Sequence, residues 1–175
     1  MTLRALVTGA SGFIGSTLVE ELNTLGFEVR ALMRASSSLG NLGTARFEKV
    51  IGDLSDAESL RRAVQGVDYV FHLAGSIAAP TREAYFEHNA EGTRKVAEAI
   101  VSANPDLKRL VFVSSLAAGG PSSGPIEIDF LSRSFDPRWF TARKIGRHLS
   151  FLTLWRKAFS HSYLPTFPGE ESISA

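Results

Sequence analysis

Three glycines, Gly9, Gly12 and Gly15, stand three residues apart in the run TGASGFIG, residues 8–15. Before the run lies a short apolar stretch, residues 3–7. After it Ile14, Leu18, Leu22 and Leu25 recur at helical spacing. A glycine turn between a strand and a helix can hold a phosphate. Gly9 lets the chain turn sharply out of the strand. Gly12 leaves the main chain uncovered, so a pyrophosphate can approach it. Gly15 lets the helix pack close to the sheet. The amides of the first helical turn, Phe13 and Ile14 among them, and the positive end of the helix dipole then face the anion. The spacing is G-x-x-G-x-x-G rather than the commoner G-x-G-x-x-G. Alone, it also fits a tight turn with no ligand. Its place between a strand and a helix, with a second strand about 20 residues on, favours a nucleotide.

Other chemistries are poorly supplied. The chain has no cysteine, so disulfides and cysteine metal sites are excluded. His72, His88, His148 and His161 lack metal-ligand spacing, and no metal is expected. A formal net charge of +1 gives no reason to expect nucleic acid as a partner. The opening residues have no charged segment, long apolar stretch or cleavage site, so they do not read as a signal peptide. No run approaches the ~18 apolar residues of a membrane span. A cytoplasmic location is the default expectation.

The elements that must carry the glycine turn follow from periodicity. Residues 3–7, 28–33, 46–51, 67–73 and 109–114 read as strands. Residues 13–25, 56–64 and 82–103 read as helices, with Gly26 closing the first and Ser55 as a candidate cap for the second. Strands alternating with helices imply an α/β fold, a doubly wound parallel sheet of Rossmann type in the order 3-2-1-4-5. Two regions are expected: a dinucleotide-binding domain over residues 1–128 and a divergent helical segment with a tail over 129–175. Between residues 130 and 168 there are seven Arg or Lys and one acid, Asp136, with many aromatics. Ile145, Leu149, Leu152 and Phe159 share one face of a helix there. That face reads first as core packing, and alternatively as a membrane-surface or partner-binding helix.

Five motifs in order resemble those of the extended short-chain dehydrogenase/reductases, the branch of sugar epimerases, dehydratases and ketone reductases. The resemblance is good over residues 3–120. TGASGFIG, containing Ser11, is similar to the cofactor turn. Gly52-Asp53-Leu54 resembles the segment whose acid contacts the adenine. His72-Leu73-Ala74-Gly75 resembles the motif lining the nicotinamide ribose. Asn89, with Gly92 and Thr93, resembles the helix motif beside the active site. VFVSS, residues 111–115, resembles the fifth strand, which ends in the catalytic serine. The acid that would bind the ribose hydroxyls of NAD is absent after strand two, where the chain reads Arg34-Ala35-Ser36-Ser37. A guanidinium with hydroxyls suits the 2′-phosphate of NADP. NADP(H) is therefore the expected cofactor, with NAD(H) as the alternative.

The resemblance also implies a catalytic set: a serine that holds the substrate oxygen, a tyrosine that moves its proton, and a lysine four residues later. Ser115 fills the first role by motif, with Ser114 beside it. No Tyr-x-x-x-Lys occurs. The nearest match is Phe140 with Lys144, 25 residues after Ser115. Phenylalanine cannot exchange a proton, although Lys144 could hold the ribose. Relatives of this kind continue well beyond this length, so a C-terminal substrate domain is expected to be missing. Two functions compete. One is hydride transfer between a nicotinamide and a carbinol or carbonyl carbon of a sugar nucleotide, steroid-like or other carbonyl compound. The other is a nucleotide-binding module with impaired catalysis. The long helices of such proteins often pair subunits, which makes a homodimer an option.

Overall fold

The computed structural model describes residues 2–113. Five parallel strands form one sheet in the order β3-β2-β1-β4-β5, the order the sequence predicts. They are β1 (Arg4–Thr8), β2 (Glu28–Met33), β3 (Glu48–Ile51), β4 (Tyr69–His72) and β5 (Arg109–Phe112). β1 lies at the centre and pairs Thr8 with Leu32 of β2 on one side and with His72 of β4 on the other.

Successive strand side chains point to opposite faces, and both faces here are covered. Ala5, Val7, Val29, Ala31 and Met33 pack towards helix α1 (Phe13–Thr24), which contributes Val19 and Leu22. Leu6, Leu32, Val70 and Leu110 point the other way. They meet Leu60 and Val64 of α2 (Ala57–Val64) and Val96 and Ile100 of α4 (Gly92–Ala103). Burial on both faces is why the strands read as apolar runs rather than as alternating ones.

Local signals set the element ends. α1 stops where Gly26 takes φ 82°, a left-handed position that glycine occupies without strain. At α2 the cap is Asp56, not Ser55. The Asp56 carboxylate accepts from the amides of Glu58 and Ser59 at 3.0 and 3.2 Å. Ser55 instead donates to Asp53 Oδ1 at 2.8 Å, so its hydroxyl is turned away from the helix. Both residues are good caps, and the hydrogen bond to Asp53 decides between them.

Residues 82–103 form three pieces rather than one helix. α3 (Arg82–Phe86) runs into a π-helical turn at Glu87–Glu91 and then into α4. The π turn widens the backbone ladder by one residue, a local change that helical periodicity does not reveal. β5 ends at Phe112, earlier than the apolar run suggests.

Replacing Asp56 with alanine should lower stability by about 1 kcal/mol. Ser55→Ala should cost clearly less, because it leaves the helix cap in place. Urea unfolding of the two variants checks the order, and a larger loss from Ser55→Ala would contradict this assignment.

Candidate functional site

The strand order reverses at β1, whose neighbours β2 and β4 continue in opposite directions across the sheet. A crevice opens beyond the carboxyl ends of the strands at such a point. The glycine turn lies there. Gly9 takes φ 74°, and a Cβ on it would fall 2.8 Å from the Ala74 nitrogen. Gly12 donates its amide to the Gly9 carbonyl at 3.0 Å. A Cβ on Gly15 would lie 2.1 Å from that same carbonyl oxygen, a distance no side chain can occupy. The opening of α1 is thereby pressed against the end of β1.

That opening carries no side-chain cap. Gly12 stands in the cap position with extended backbone and has no side chain to offer the amides that follow, although its carbonyl accepts from the Ser16 amide at 2.9 Å. α2 and α3, in contrast, are closed by Asp56 and Thr81. Phe13 and Ile14 are turned outward, Phe13 at 75% exposure. Half-buried Ser11 lies between Gly9 and Gly12, and its carbonyl accepts from Asn41 Nδ2 at 2.9 Å. Asn41 belongs to a short 3-10 turn at Gly40–Leu42. No periodicity marks it, and sequence reasoning missed it. Its only signal is an amide-bearing residue in a Gly/Ser-rich stretch.

The carboxyl ends of β2 and β3 carry the second group. Arg34 follows β2 and is exposed. Gly52 donates its amide to the Met33 carbonyl at 3.0 Å, which places Asp53 next to the end of β2. The Asp53 carboxyl is held below the usual carboxylate range. The amide of Ser55 is the main cause, the Ser55 hydroxyl adds to it, and the Arg34 charge contributes further. Burial works against them. Leu54 packs against α4, where a Cβ on Gly92 would come within 2.9 Å of Leu54 Cδ1.

The third group follows β4. Leu73 and Ala74 form the backbone against which Gly9 packs, and Leu73 donates its amide to the Thr8 carbonyl at 3.2 Å. Gly75 passes close to Asn89, whose Oδ1 a Cβ there would meet at 2.8 Å. Asn89 sits in the π turn and grips Ser76 twice. Its Oδ1 accepts from the Ser76 amide at 2.8 Å, and its Nδ2 donates to the Ser76 carbonyl at 3.0 Å. Between these parts lies His72, 1% exposed. Its Nδ1 is 2.7 Å from Thr8 Oγ1 and its Nε2 is 3.0 Å from Thr93 Oγ1. The Phe112 ring stacks on it at 5.7 Å.

The structure thus brings together Gly9, Ser11, Gly12, Phe13, Ile14, Gly15, Leu73, Ala74, Gly75 and Asn89 along one edge, with Arg34, Asp53 and Leu54 beside them. Ser114, Ser115, Phe140 and Lys144 lie outside the described residues, as does the helix read over 145–159. Tyr69 opens β4, at the end of the strand away from the glycine turn, and its ring packs edge-on against Phe27. Tyr85 is on α3, and His88 is exposed on the π turn. No metal-binding cluster occurs among the described residues. Among them, no helix is long and apolar enough to cross a membrane.

An open parallel sheet, an uncapped helix start and a glycine turn at the switch point define a Rossmann-type fold. The chain belongs to the NAD dependent epimerase/dehydratase family, whose sequence profile matches residues 5–144. It is 37% identical over 120 residues to sterol demethylase protein B of Methylococcus capsulatus, covering 67% of this chain and 36% of that protein. It is 38% identical over 116 residues to ceramide reductase of Caulobacter vibrioides, covering 66% of this chain and 36% of that one. Among solved structures, MoeE5 in complex with UDP-glucose and NAD superimposes with a TM-score of 0.61 at 33% identity, over 72% of this chain and 41% of that chain. The chain spans about a third of the length of the curated relatives it matches.

Burial pulls the His72 pKa down from 6.5 to about 4. The unfolded chain therefore binds a proton that the folded chain refuses. Stability from this group is full above about pH 6.5 and falls as the pH drops towards 4. The depressed carboxyls of Asp53, Asp56, Asp68 and Glu87 lose their contribution only as pH falls through their own lowered values. Between pH 7 and pH 5 the His72 effect should cost on the order of 2 kcal/mol. Urea unfolding at the two pH values should show this loss, and His72→Gln should show less of it. An equal pH dependence in the variant would contradict the assignment.

Proposed function

We propose that the chain is the cofactor-holding part of an NAD(P)-dependent oxidoreductase or epimerase-type protein acting at a carbinol or carbonyl carbon. The observation that carries this reading is the uncapped first turn of α1, fixed at the end of β1 by the Gly9–Gly15 approach. A bound nicotinamide would supply hydride transfer, which no side chain of this chain can perform. The chain's own task is to hold and orient. The amides of Phe13 and Ile14 would meet the diphosphate, and bare Gly12 would leave it room. Asp53 and Leu54 would flank the adenine. Leu73, Ala74 and Gly75, steadied by Asn89, would line the nicotinamide ribose.

Arg34 favours NADP(H) over NAD(H). It is exposed beside the β2 end, where the family's NAD-binding acid is replaced by a guanidinium and nearby serine hydroxyls. Ser114 and Ser115 would stand at the substrate oxygen, and Lys144 at the ribose. Phe140 cannot carry a proton. Turnover then needs an acid from elsewhere, and without one the chain acts as a nucleotide-binding module. The substrate class is a small carbonyl or carbinol compound. The chain's relatives include a ceramide reductase and, among solved structures, a protein in complex with UDP-glucose, which span apolar and sugar-nucleotide chemistry.

Titration of NADPH and NADH fluorescence tests the binding claim, and no binding of either at millimolar cofactor would remove it. Arg34→Ala should weaken NADPH about ten- to a hundredfold, the worth of one charge-assisted phosphate contact, and leave NADH nearly unchanged. Parallel losses for both cofactors would contradict the Arg34 role. Phe140→Tyr should raise NADPH oxidation against a panel of carbonyl compounds. Unchanged inactivity in a variant that binds cofactor would favour the module.

A further inference from the structure

The buried polar atoms around His72 have only one proton arrangement that satisfies all of them. The Ala74 amide donates to Thr8 Oγ1 at 3.2 Å. Thr8 Oγ1 accepts that bond and is 2.7 Å from His72 Nδ1. At the far end, Thr93 Oγ1 donates its single proton to the Asn89 carbonyl at 2.6 Å. With that proton used, Thr93 Oγ1 can only accept from His72 Nε2, 3.0 Å away. Nε2 therefore carries the ring proton. Nδ1 is left as an acceptor, and the Thr8 hydroxyl donates to it. The opposite tautomer would turn the Thr93 hydroxyl towards Nε2 and leave two oxygens 2.6 Å apart with no proton between them. A charged imidazole would put a donor opposite each hydroxyl, and the Thr8 proton would lose its acceptor.

The chain of bonds runs in one direction: Ala74 amide, Thr8 hydroxyl, His72 ring, Thr93 hydroxyl, Asn89 carbonyl. It joins the ends of β1 and β4 to the π turn and the start of α4. Asn89 in turn grips Ser76. The chain starts at the Ala74 amide, meets the glycine turn at Thr8, and ends at Asn89, whose side chain holds the Gly75–Ser76 backbone.

We propose that His72 is a positioning residue: a neutral imidazole, protonated on Nε2, that fixes the glycine turn and the Gly75–Ser76 backbone relative to each other so that they take a dinucleotide as one unit. The proposal rests on the cofactor reading above. Burial lowers the basicity of His72, which favours a neutral ring, and its hydrogen-bond partners among the described residues are the two threonine hydroxyls. The ring would not exchange protons with substrate, since both of its nitrogens are committed to the threonine hydroxyls.

The test uses the full chain in two measurements. Nitrogen NMR of histidine-labelled protein at pH 7 should show His72 with a proton on Nε2 and a bare Nδ1. A proton on Nδ1, or on both nitrogens, overturns the proposal whether or not cofactor binds. Binding of NADPH and of ADP, which lacks the nicotinamide riboside, is then compared in His72→Leu and in Thr93→Val, which removes the Nε2 acceptor together with the bond to the Asn89 carbonyl. NADPH affinity should fall about tenfold and ADP affinity by less than about threefold, because only the dinucleotide needs both halves aligned. His72→Gln, which keeps a donor and an acceptor, should recover part of the loss. Equal losses for both ligands, or none, mark His72 as ordinary packing and overturn the proposal. If the wild-type chain binds neither ligand, the cofactor reading fails and the coupling falls with it, a result separate from the tautomer spectrum.

Discussion

A helix start can serve as an anion site only if it is held still, left uncapped and kept free of side chains. The first condition traces to one contact, the approach of Gly15 to the carbonyl of Gly9, and the other two to the bare Gly12 beside it. That carbonyl also accepts the Gly12 amide. The approach leaves no volume for a Cβ at Gly15, so α1 begins directly over the end of β1 rather than a turn away from it. The rest of the fold supplies the conditions for this contact. Two apolar layers fix β1 at the centre of the sheet, and the strand order reverses there. The aimed amides and the crevice therefore coincide.

The surroundings of the turn are held from two sides by different means. On the β2 side, Asn41 secures the Ser11 carbonyl from a short loop whose Leu42 is buried. On the β4 side, the link is made of hydroxyls and an imidazole inside the sheet, and no buried polar side-chain atom among the described residues is left without a partner. Satisfied buried networks of this kind specify one geometry, because any local change leaves a costly unpaired group. The polar interior thus sets the site's shape, while the apolar layers supply most of the stability.

Much of the fold was legible because it rests on short-range pattern. The strand at residues 28–33, the glycine that ends α1 and the sheet order all follow from periodicity and from the handedness of crossovers. The glycine turn was legible because each glycine answers a steric demand. Other features were not, for identifiable reasons. Ser55 and Asp56 are both competent caps, and only the hydrogen bond from Ser55 to Asp53 separates them. The π turn at Glu87–Glu91 changes the ladder by one residue without disturbing the apolar pattern, yet it places Asn89 against Ser76. Asn41 sits in irregular chain and meets Ser11 only through the tertiary fold. Thr8, His72 and Thr93 were each visible in a motif. Their mutual contacts span up to 64 residues of sequence, and spacing cannot express that.

Gly12 offers the most direct test. Its backbone is extended, at φ −75°, and an added Cβ would meet only the Gly9 carbonyl oxygen, at 3.3 Å. A side chain there is sterically bearable for the fold but would occupy the space required by a diphosphate. Calorimetric titration of Gly12→Val with NADPH, alongside its thermal unfolding, separates the two effects. The account predicts a folded protein with melting close to wild type and NADPH affinity reduced at least about a hundredfold, the loss of two backbone–phosphate bonds. A Gly12→Val protein that binds NADPH as tightly as wild type would contradict it.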